Sequence, residues 1–519
     1  MRETELKYEA EAAVRLPPLD GLPQVASVSG PETETLLAEY YDTDDLRLLR
    51  AGTTLRRREG GADEGWHLKL PEEAAGPTRR AARAAGPTSR RELRLPLNEP
   101  VSPQAAPVPD ELARLVLVHT RGAALRPVAR IETRRSRTTL RDASGSPLAE
   151  TAADEVAAQT LGESTTLSRW NEVEVELTGG DPRLLKAADE RLRRSGLRPA
   201  GRSTKLERAL AAELQPAPAG HRLTRRSPSG EVVLAYLDQH AARFKALDPA
   251  VRRDEPDAVH QMRVAARRLR SALQAFPVVV PEPATRHLRQ ELKWIGGLLG
   301  DARDGEVLSD YLQTGLAGLP TELVLGPAKA TVTAHFARRE ASARTAVREA
   351  LGSPRYFGML DELDRLISDP PLTPESARPA KEILPRAVAK AGRRTSRRMR
   401  RARRSPAGTS RDVALHETRK AAKRARYAAE AAAPACGKKA RRFARHMKRV
   451  QSVLGDHNDA VNARATAREI GVHAHLAGEN AFSFGLLHEW AHRDAVKRQD
   501  QAKRTWKRVT HSTSRRWLA

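Results

Sequence analysis

The sequence predicts an α+β protein of more than one domain: an antiparallel sheet or closed barrel, followed by an all-helical region. Three observations predict it. Up to about residue 212 the chain is mainly short alternating segments bounded by Gly, Pro, Asn or Asp, the mark of antiparallel strands. Beyond residue 230 it consists of long Ala/Arg/Leu/Glu stretches with Pro or Gly at the breaks, which is helical composition. The charge divides at the same place. Residues 1–214 hold 33 Lys+Arg against 34 Asp+Glu, while 215–519 hold 58 against 31, so the whole excess of +26 belongs to the second part. Between them runs QPAPAGHRLTRRSPSG, which predicts a linker over 213–230.

Composition narrows the classes. One cysteine, Cys436, excludes a disulfide framework and a cysteine-rich zinc site, and fits a reducing compartment. The start lacks the apolar core of a secretory signal, and no apolar run approaches the ~18 residues a membrane span needs. The expectation is a cytoplasmic protein without a membrane partner. The basic second part should attract a polyanion; the first part should not by net charge alone.

The first strand is ETELKYE. In a strand, alternate residues share a face, so Glu3, Glu5 and Lys7 project together, at a cost unless something sits between the like charges. A solvated edge strand would account for this one segment. The pattern recurs, however. ETLLAEYYDT follows, then TTLRRRE with Arg56 and Arg58 on one face, and WHLKL with Lys69 and His67 in alternation. TRRSR aligns Arg135 with Arg137, PLAETAADEV aligns Glu150 with Asp154, and NEVEVEL sets Glu172, Glu174 and Glu176 against Val173, Val175 and Leu177. Helices are expected near 110–121 and 182–195. These charged faces cannot all be solvent faces of independent edges; a barrel with an ion-lined lumen accommodates them. Clustered carboxylates would hold a hard divalent cation such as Mg²⁺ or Mn²⁺. Arg and Lys would hold phosphates. Together these are the parts for phosphoryl transfer or hydrolysis.

With YYDT (40–43), Leu55-Arg56-Arg57-Arg58, Lys69, Arg135, Asp154, Glu172–Glu176 and STKLERAL (203–210) in that order behind Glu3-x-Glu5-x-Lys7, residues 1–212 resemble the CYTH family, the triphosphate tunnel metalloenzymes. The resemblance implies an eight-stranded antiparallel barrel with a charged tunnel, acting on triphosphates with Mg²⁺ or Mn²⁺. Substrates in the family include inorganic triphosphate, thiamine triphosphate, RNA 5′-triphosphates and, by cyclisation, ATP. It implies Glu3, Glu5, Glu172 and Glu174 as metal ligands with Glu176 and Asp154 nearby, and Lys7, Arg56, Arg58, Lys69, Arg135 and Lys205 as catalytic phosphate ligands. The register of RRELR leaves Arg90 and Glu92 open, and Arg137 joins only by sharing the face of Arg135. The alternative is an ionic barrel that persists without catalysis.

The helical part contains a repeat. VHQMRVAARRLRSAL (259–273) matches LHETRKAAKRARYAA (415–429), and LKWIGGLLGDARDGEV (292–307) matches MKRVQSVLGDHNDAVN (447–462). At 100° per residue, His260, Arg263, Arg267 and Arg270 fall on one stripe, as do His416, Arg419, Lys423 and Arg426. Such a stripe concentrates repulsion where an ordinary surface helix mixes signs. Lys293 and Lys448 add a cation at matching places, with Arg286 and Arg441 one heptad earlier. The LGDxxD segments read either as a helix break and recap, or as Asp301, Asp304, Asp456 and Asp459 holding Arg side chains. One His per stripe makes a poor metal site. Aromatics, 4% of the chain, do not punctuate the stripes as in single-strand nucleic-acid readers.

Through the two His-x-x-Arg stripes and the two LGDxxD segments, residues 231–519 resemble the CHAD family. The resemblance implies two four-helix bundles related by pseudo-twofold symmetry, here about 231–385 and 386–519, with a basic cleft for inorganic polyphosphate. GRRTSRRMRRARRS (392–405) is expected to extend the basic surface. The expected function is a polyphosphate-binding protein with a metal-dependent triphosphatase tunnel. The alternatives are a non-catalytic adaptor at polyphosphate granules, or charge-driven nucleic-acid binding; no specific nucleic-acid partner is expected.

Overall fold

The structure, a computed structural model, describes residues 2–10, 16–71, 88–97, 107–162, 164–200, 204–214 and 222–511. The Ala/Pro-rich inserts near 72–87 and 98–106, and linker residues 215–221, lie outside the described residues. Two compact units divide the chain, Met1–His221 and Arg222–Ala519.

The first unit contains β1 (Arg2–Ala10), β2 (Ser27–Val28), β3 (Glu32–Asp42), β4 (Thr54–Glu59), β5 (Gly65–Pro71), β6 (Thr88–Leu95), β7 (Arg126–Arg141), β8 (Pro147–Thr160), β9 (Leu167–Leu177) and β10 (Arg198–Pro199). Eight of them close an antiparallel barrel in the order β1-β6-β5-β4-β3-β7-β8-β9, with β9 returning to β1; β2 and β10 are two-residue additions. Across the closing seam, Glu5 faces Glu176 and Lys7 faces Glu174.

The alternation that put charges on one face puts apolar residues on the other, and that face is covered from outside. The helices here are α1 (Arg47–Ala51), α2 (Asp110–Thr120), α3 (Pro182–Arg194) and α4 (Lys205–Ala209). Leu6, Tyr8, Val173 and Val175 pack against Leu184, Leu185 and Leu192 of α3. That helix starts at Asp181, whose carboxylate accepts from Arg183 N at 2.8 Å. Leu55, Trp66 and Leu68 pack against Leu112 and Val116 of α2 and Leu48 of α1. In YYDT, Asp42 is fully buried and accepts from the amides of Thr43 (2.7 Å), Leu48 (2.9 Å) and Leu49 (2.9 Å), anchoring α1. Leu206, Ala209 and Leu210, in and just after α4, join Tyr40, Ile131 and Trp170 in a third cluster, which fixes the position of Lys205.

The second unit is helical: α5 (Ser229–Arg252), α6 (Ala258–Ala275), α7 (Glu282–Ala317), α8 (Ala328–Leu351), α9 (Pro354–Ser368), α10 (Ala380–Arg404), α11 (Thr409–Ala431), α12 (Ala433–Leu476) and α13 (Phe482–His511). Helices α5–α8 and α10–α13 form two four-helix bundles related by the pseudo-twofold, with α6 against α11 and α7 against α12. The far ends of the long α7 and α12 share a core with α8 and α13 around Leu312, Val332, Ile470 and Leu487. No helix among the described residues is long and apolar enough to cross a membrane.

Two local expectations are corrected. The LGDxxD segments do not break their helices: α7 runs through Gly300 and α12 through Gly455. Each glycine instead makes room for an arginine lying on the helix backbone. The second unit's first helix begins at Ser229, inside the expected linker.

Candidate functional site

The charged faces of β1, β4, β5, β7 and β9 turn into one lumen, which encloses about 800 Å³ of non-protein space, solvent at its opening included. On one wall, oxygens of Asp154, Glu172 and Glu174 lie within 4.8 Å of one another. Helix α4 aims Lys205 into their midst: its Nζ is 2.9 Å from Asp154, 2.6 Å from Glu172 and 2.8 Å from Glu174. Arg135 donates Nε to Asp154 at 2.8 Å and Nη2 to Asp154 and Glu174, both at 2.7 Å. Lys7 donates to Glu174 at 2.6 Å and lies 3.4 Å from Glu5. The other Glu172 oxygen accepts from Trp170 Nε1 at 2.8 Å.

The charges hold each other ionised. Burial pushes the Glu174 carboxyl up, but Lys205, Lys7 and Arg135 more than offset it and hold it well below the usual range. Asp154 is lowered in the same way, burial being outweighed by Lys205 and Arg135. Burial alone would lower Lys205, yet Asp154, Glu172 and Glu174 raise it well above an ordinary lysine. The wall therefore holds four carboxylates, counting Glu5, against three cations.

Three converging carboxylates offer hard oxygen donors and already close around one ammonium, so the donor set fits a hard divalent cation in its chemistry. The facing wall is cationic. Arg56 donates to the Tyr40 hydroxyl at 3.3 Å, and Arg58 donates to Asp63. Lys69 lies 3.6 Å from Glu92, and Arg90 is buried at the lumen surface. Burial, then the charge of Arg56, pushes the Arg58 guanidinium down. This side is built for an anion.

Of the residues expected here, Glu5, Lys7, Arg56, Arg58, Lys69, Arg135, Glu174, Glu176 and Lys205 line the lumen, with Asp154 and Glu172 completing the carboxylate group. Asp154, expected only nearby, is at its centre. Glu5 stands beside that group, and the side chain of Glu3 lies outside the described residues. Glu92 is buried behind the wall, where it binds His67 Nδ1 at 2.8 Å. Arg137 is drawn aside to Glu32 at 3.1 Å and Glu150 at 3.8 Å. Sequence reasoning missed Tyr40 and Asp63. Tyr40 carried a signal, as part of YYDT and opposite Arg56 in register; Asp63 sits in a turn and carried none.

In the helical unit the two basic stripes converge. Burial and the charges of Arg419, Arg267 and Arg263 push the Lys423 amine down to about 6, with Asp304 opposing. Burial, Arg263 and Arg419 likewise lower Arg267. With α6 packed against α11, cations of the two helices crowd one another. Asp304 pairs with Arg263 at 2.6 Å and Asp456 with Arg498 at 3.4 Å, so these acids hold arginines rather than cap helices. Asp459 faces Arg419. The supply of counter-charge is still short. Among the described residues, the buried Nε atoms of Arg263, Arg267 and Arg419 make no hydrogen bond. His416 Nδ1 meets Asn458 Oδ1, a partner not foreseen, and burial lowers both His260 and His416 from 6.5.

The outer positions behave differently. Arg426 is tied to Glu430 at 2.7 Å, and Arg270 is half-buried near Arg289. Lys293, Lys448, Arg286 and Arg441 are exposed on α7 and α12.

Comparison with known proteins agrees with both halves. Residues 1–207 match the CYTH domain and residues 235–468 match the CHAD domain. Uncharacterized protein MT2285 of Mycobacterium tuberculosis (strain CDC 1551 / Oshkosh) is 36% identical over 507 residues, 94% of this chain and 92% of that protein. The chain belongs to the CYTH–CHAD family. Its CHAD domain is similar to the solved CHAD domain of the plant Ricinus communis, at 25% identity and TM-score 0.46, covering 57% of this chain and 96% of that one. PptA from Streptomyces chartreusis is similar at 22% identity and TM-score 0.46, covering 54% of this chain and 100% of that one. The ion-lined lumen is thus that of the CYTH domain, and the cation cluster of α6 and α11 lies in the CHAD domain.

Proposed function

We propose that this protein binds inorganic polyphosphate in its CHAD cleft and hydrolyses inorganic triphosphate, or another triphosphate, in its CYTH tunnel. The observation that carries the reading is the convergence of the half-buried Arg263, Arg267 and Arg419 on the Lys423 amine, a crowding of basic groups only partly offset by Asp304 and Asp459. Such a cluster is costly without a ligand of high negative charge. A bare phosphate chain, with about one charge per unit and no bases to stack, matches a row of cations without aromatic platforms.

In the tunnel, Asp154, Glu172 and Glu174 would hold Mg²⁺ or Mn²⁺, with Glu5 and Glu176 adjacent. When bound, the ion supplies positive charge to phosphate oxygens. Arg56, Arg58 and Lys69 hold the far phosphates, and Arg135 and Lys7 stand between the two walls. Lys205, delivered by α4, balances the carboxylates and would turn to a phosphate oxygen once a metal takes its place among them. Leu36, Ala38 and Ile131 add an apolar patch to the lumen lining.

A second reading is a non-catalytic adaptor at polyphosphate granules. Its support is the closure of the carboxylate group around Lys205, which neutralises the cage without a metal. Phosphate release from tripolyphosphate with Mg²⁺ or Mn²⁺, measured beside polyphosphate titration by calorimetry, separates the readings. Release that depends on the metal supports the enzyme. Tight polyphosphate binding with no release leaves the adaptor. Stronger binding of RNA than of polyphosphate at physiological salt overturns both.

A further inference from the structure

The CHAD cleft is not the end of the cationic surface. From Arg393 to Arg404, helix α10 carries eight arginines and no acid; Glu382 is the only acidic residue in the helix. Its core face is Val388, Thr395, Met399 and Ala402, so the arginines project from the remaining surface. All eight are exposed except the half-buried Arg398. None of their guanidinium groups makes a hydrogen bond or ion pair among the described residues, in a protein whose surface cations elsewhere are commonly paired. Arg394, Arg397, Arg398 and Arg401 stand at i, i+3, i+4 and i+7, a single stripe about 10 Å long at 1.5 Å rise per residue.

The stripe adjoins the basic cluster, because α10 packs along α11. Arg424 of α11, next to Lys423, is pushed down by burial and then by Arg394, with Arg270 and Arg398 adding to it. Arg270 continues the His260 stripe, and Arg424 stands between that stripe and α10. Glu417, paired with Lys420 at 2.9 Å, also feels both Arg398 and His416. The path therefore runs from the His416–Arg419–Lys423 stripe, past Arg424, onto α10.

We propose that this arginine stripe of α10 is an outer track on which a polyphosphate chain longer than the cleft continues, so that the protein selects long chains over short ones. The proposal rests on the cleft reading above. Aligned cations release counterions as each meets a phosphate, so every added contact steepens the salt dependence. A short chain fills the cleft and never reaches Arg398. Charge alone also suits RNA, but the stripe has no aromatic side chain between its arginines.

The test uses the full chain with Arg394, Arg397, Arg398 and Arg401 replaced together by Gln, and a matched variant with Lys at all four. Calorimetry measures tripolyphosphate, long-chain polyphosphate and RNA over a series of salt concentrations. The expected result is a loss of about tenfold or more for long chains, with the slope of log affinity against log salt shallower by about 0.7 per lost contact. Tripolyphosphate binding and the melting temperature stay unchanged, and the Lys variant keeps most long-chain affinity. Unchanged long-chain affinity in the Gln variant overturns the track while leaving the cleft reading intact. An equal loss for both polyphosphates overturns it too, since a general field would then be at work. Lost RNA binding with polyphosphate retained assigns the stripe to nucleic acid instead. If the unaltered protein binds neither polyphosphate, the cleft reading falls, and the track with it.

Discussion

The guanidinium of Arg263 lies on the backbone of Gly300: a Cβ there would stand 2.9 Å from Nη2 and 3.1 Å from Cζ. Its repeat counterpart, Arg419, stands 3.5 Å from the same point on Gly455. The glycine of each LGD segment is thus a seat for an anion-facing arginine, tighter in the first repeat. Gly300→Ala should lift Arg263 from Asp304 and weaken polyphosphate binding by about tenfold, while the helix gains roughly 0.5–1 kcal/mol from losing a glycine. Gly455→Ala should bind nearly as the parent does. Calorimetry together with thermal melting checks both; equal losses, or a fall in melting temperature with Gly300→Ala, would contradict the seat.

Glu174 joins Lys7, Lys205 and Arg135 in the tunnel, so Glu174→Gln leaves three buried cations short of a partner. Stability should drop on the order of 3 kcal/mol, and any triphosphate hydrolysis should drop at least a hundredfold. The pH dependence has a definite sign. The folded-state value of Glu174 is depressed below the ordinary 4.5. Its stabilisation is therefore full above that value and lost as pH falls through the folded one. Urea unfolding at pH 7, 5 and 3 should show the parent weakening on the acid side and the Gln variant changing less.

Lys423 makes binding take up a proton. With its amine held to about 6 in the free cleft, most of it is neutral at pH 7. A bound polyanion favours the ammonium and raises that value. Affinity should fall as pH rises from about 6 through the raised value, and calorimetric heats should differ between buffers of different ionisation enthalpy. His260 and His416, both lowered from 6.5, add the same sign at lower pH. The bare histidine midpoint near 6.5 is thus not the one expected. Lys423→Met should flatten the profile above pH 6; an unaltered profile would remove Lys423 from the site.

Millimolar Mg²⁺ or Mn²⁺ should raise the melting temperature of the CYTH domain, because a ligand of the native state stabilises by mass action. Asp154→Asn should abolish the rise, and chelator should reverse it. A shift that survives in Asp154→Asn would place the ion elsewhere.

Much of this architecture was legible because it is periodic. Alternation in NEVEVEL, TTLRRRE and ETELKYE forces charges to one side of each strand, and closure makes that side a shared interior. Duplication of the histidine stripe marked the cation cluster of α6 and α11 in the same way. What escaped depends on contacts that periodicity does not encode. Asp63 reaches Arg58 from a turn in which Gly60, Gly61 and Gly65 take positive φ. Asn458 meets His416 from another helix, 42 residues on. Stripe arithmetic could not tell that Lys293 and Lys448 face solvent. Arg426 was a near miss: Glu430 lies one turn away, close enough in sequence to predict its neutralisation.

The seam between β1 and β9 has a kinetic meaning. Lys7 finds Glu174 167 positions along the chain, so the barrel closes only when β9 reaches back to β1. The hairpin β7–β8, joined by a short turn, can form locally, whereas the β1–β9 pairing bears the entropy of a long loop. Until that pairing forms, the apolar face of β1, with Leu6 and Tyr8, is open to aggregation, and the charges on its other face help keep the waiting strand in solution. Pulsed hydrogen exchange during refolding should find β1 and β9 amides protected together and late, after those of β7 and β8; early protection of β1 would show that the barrel closes by another route.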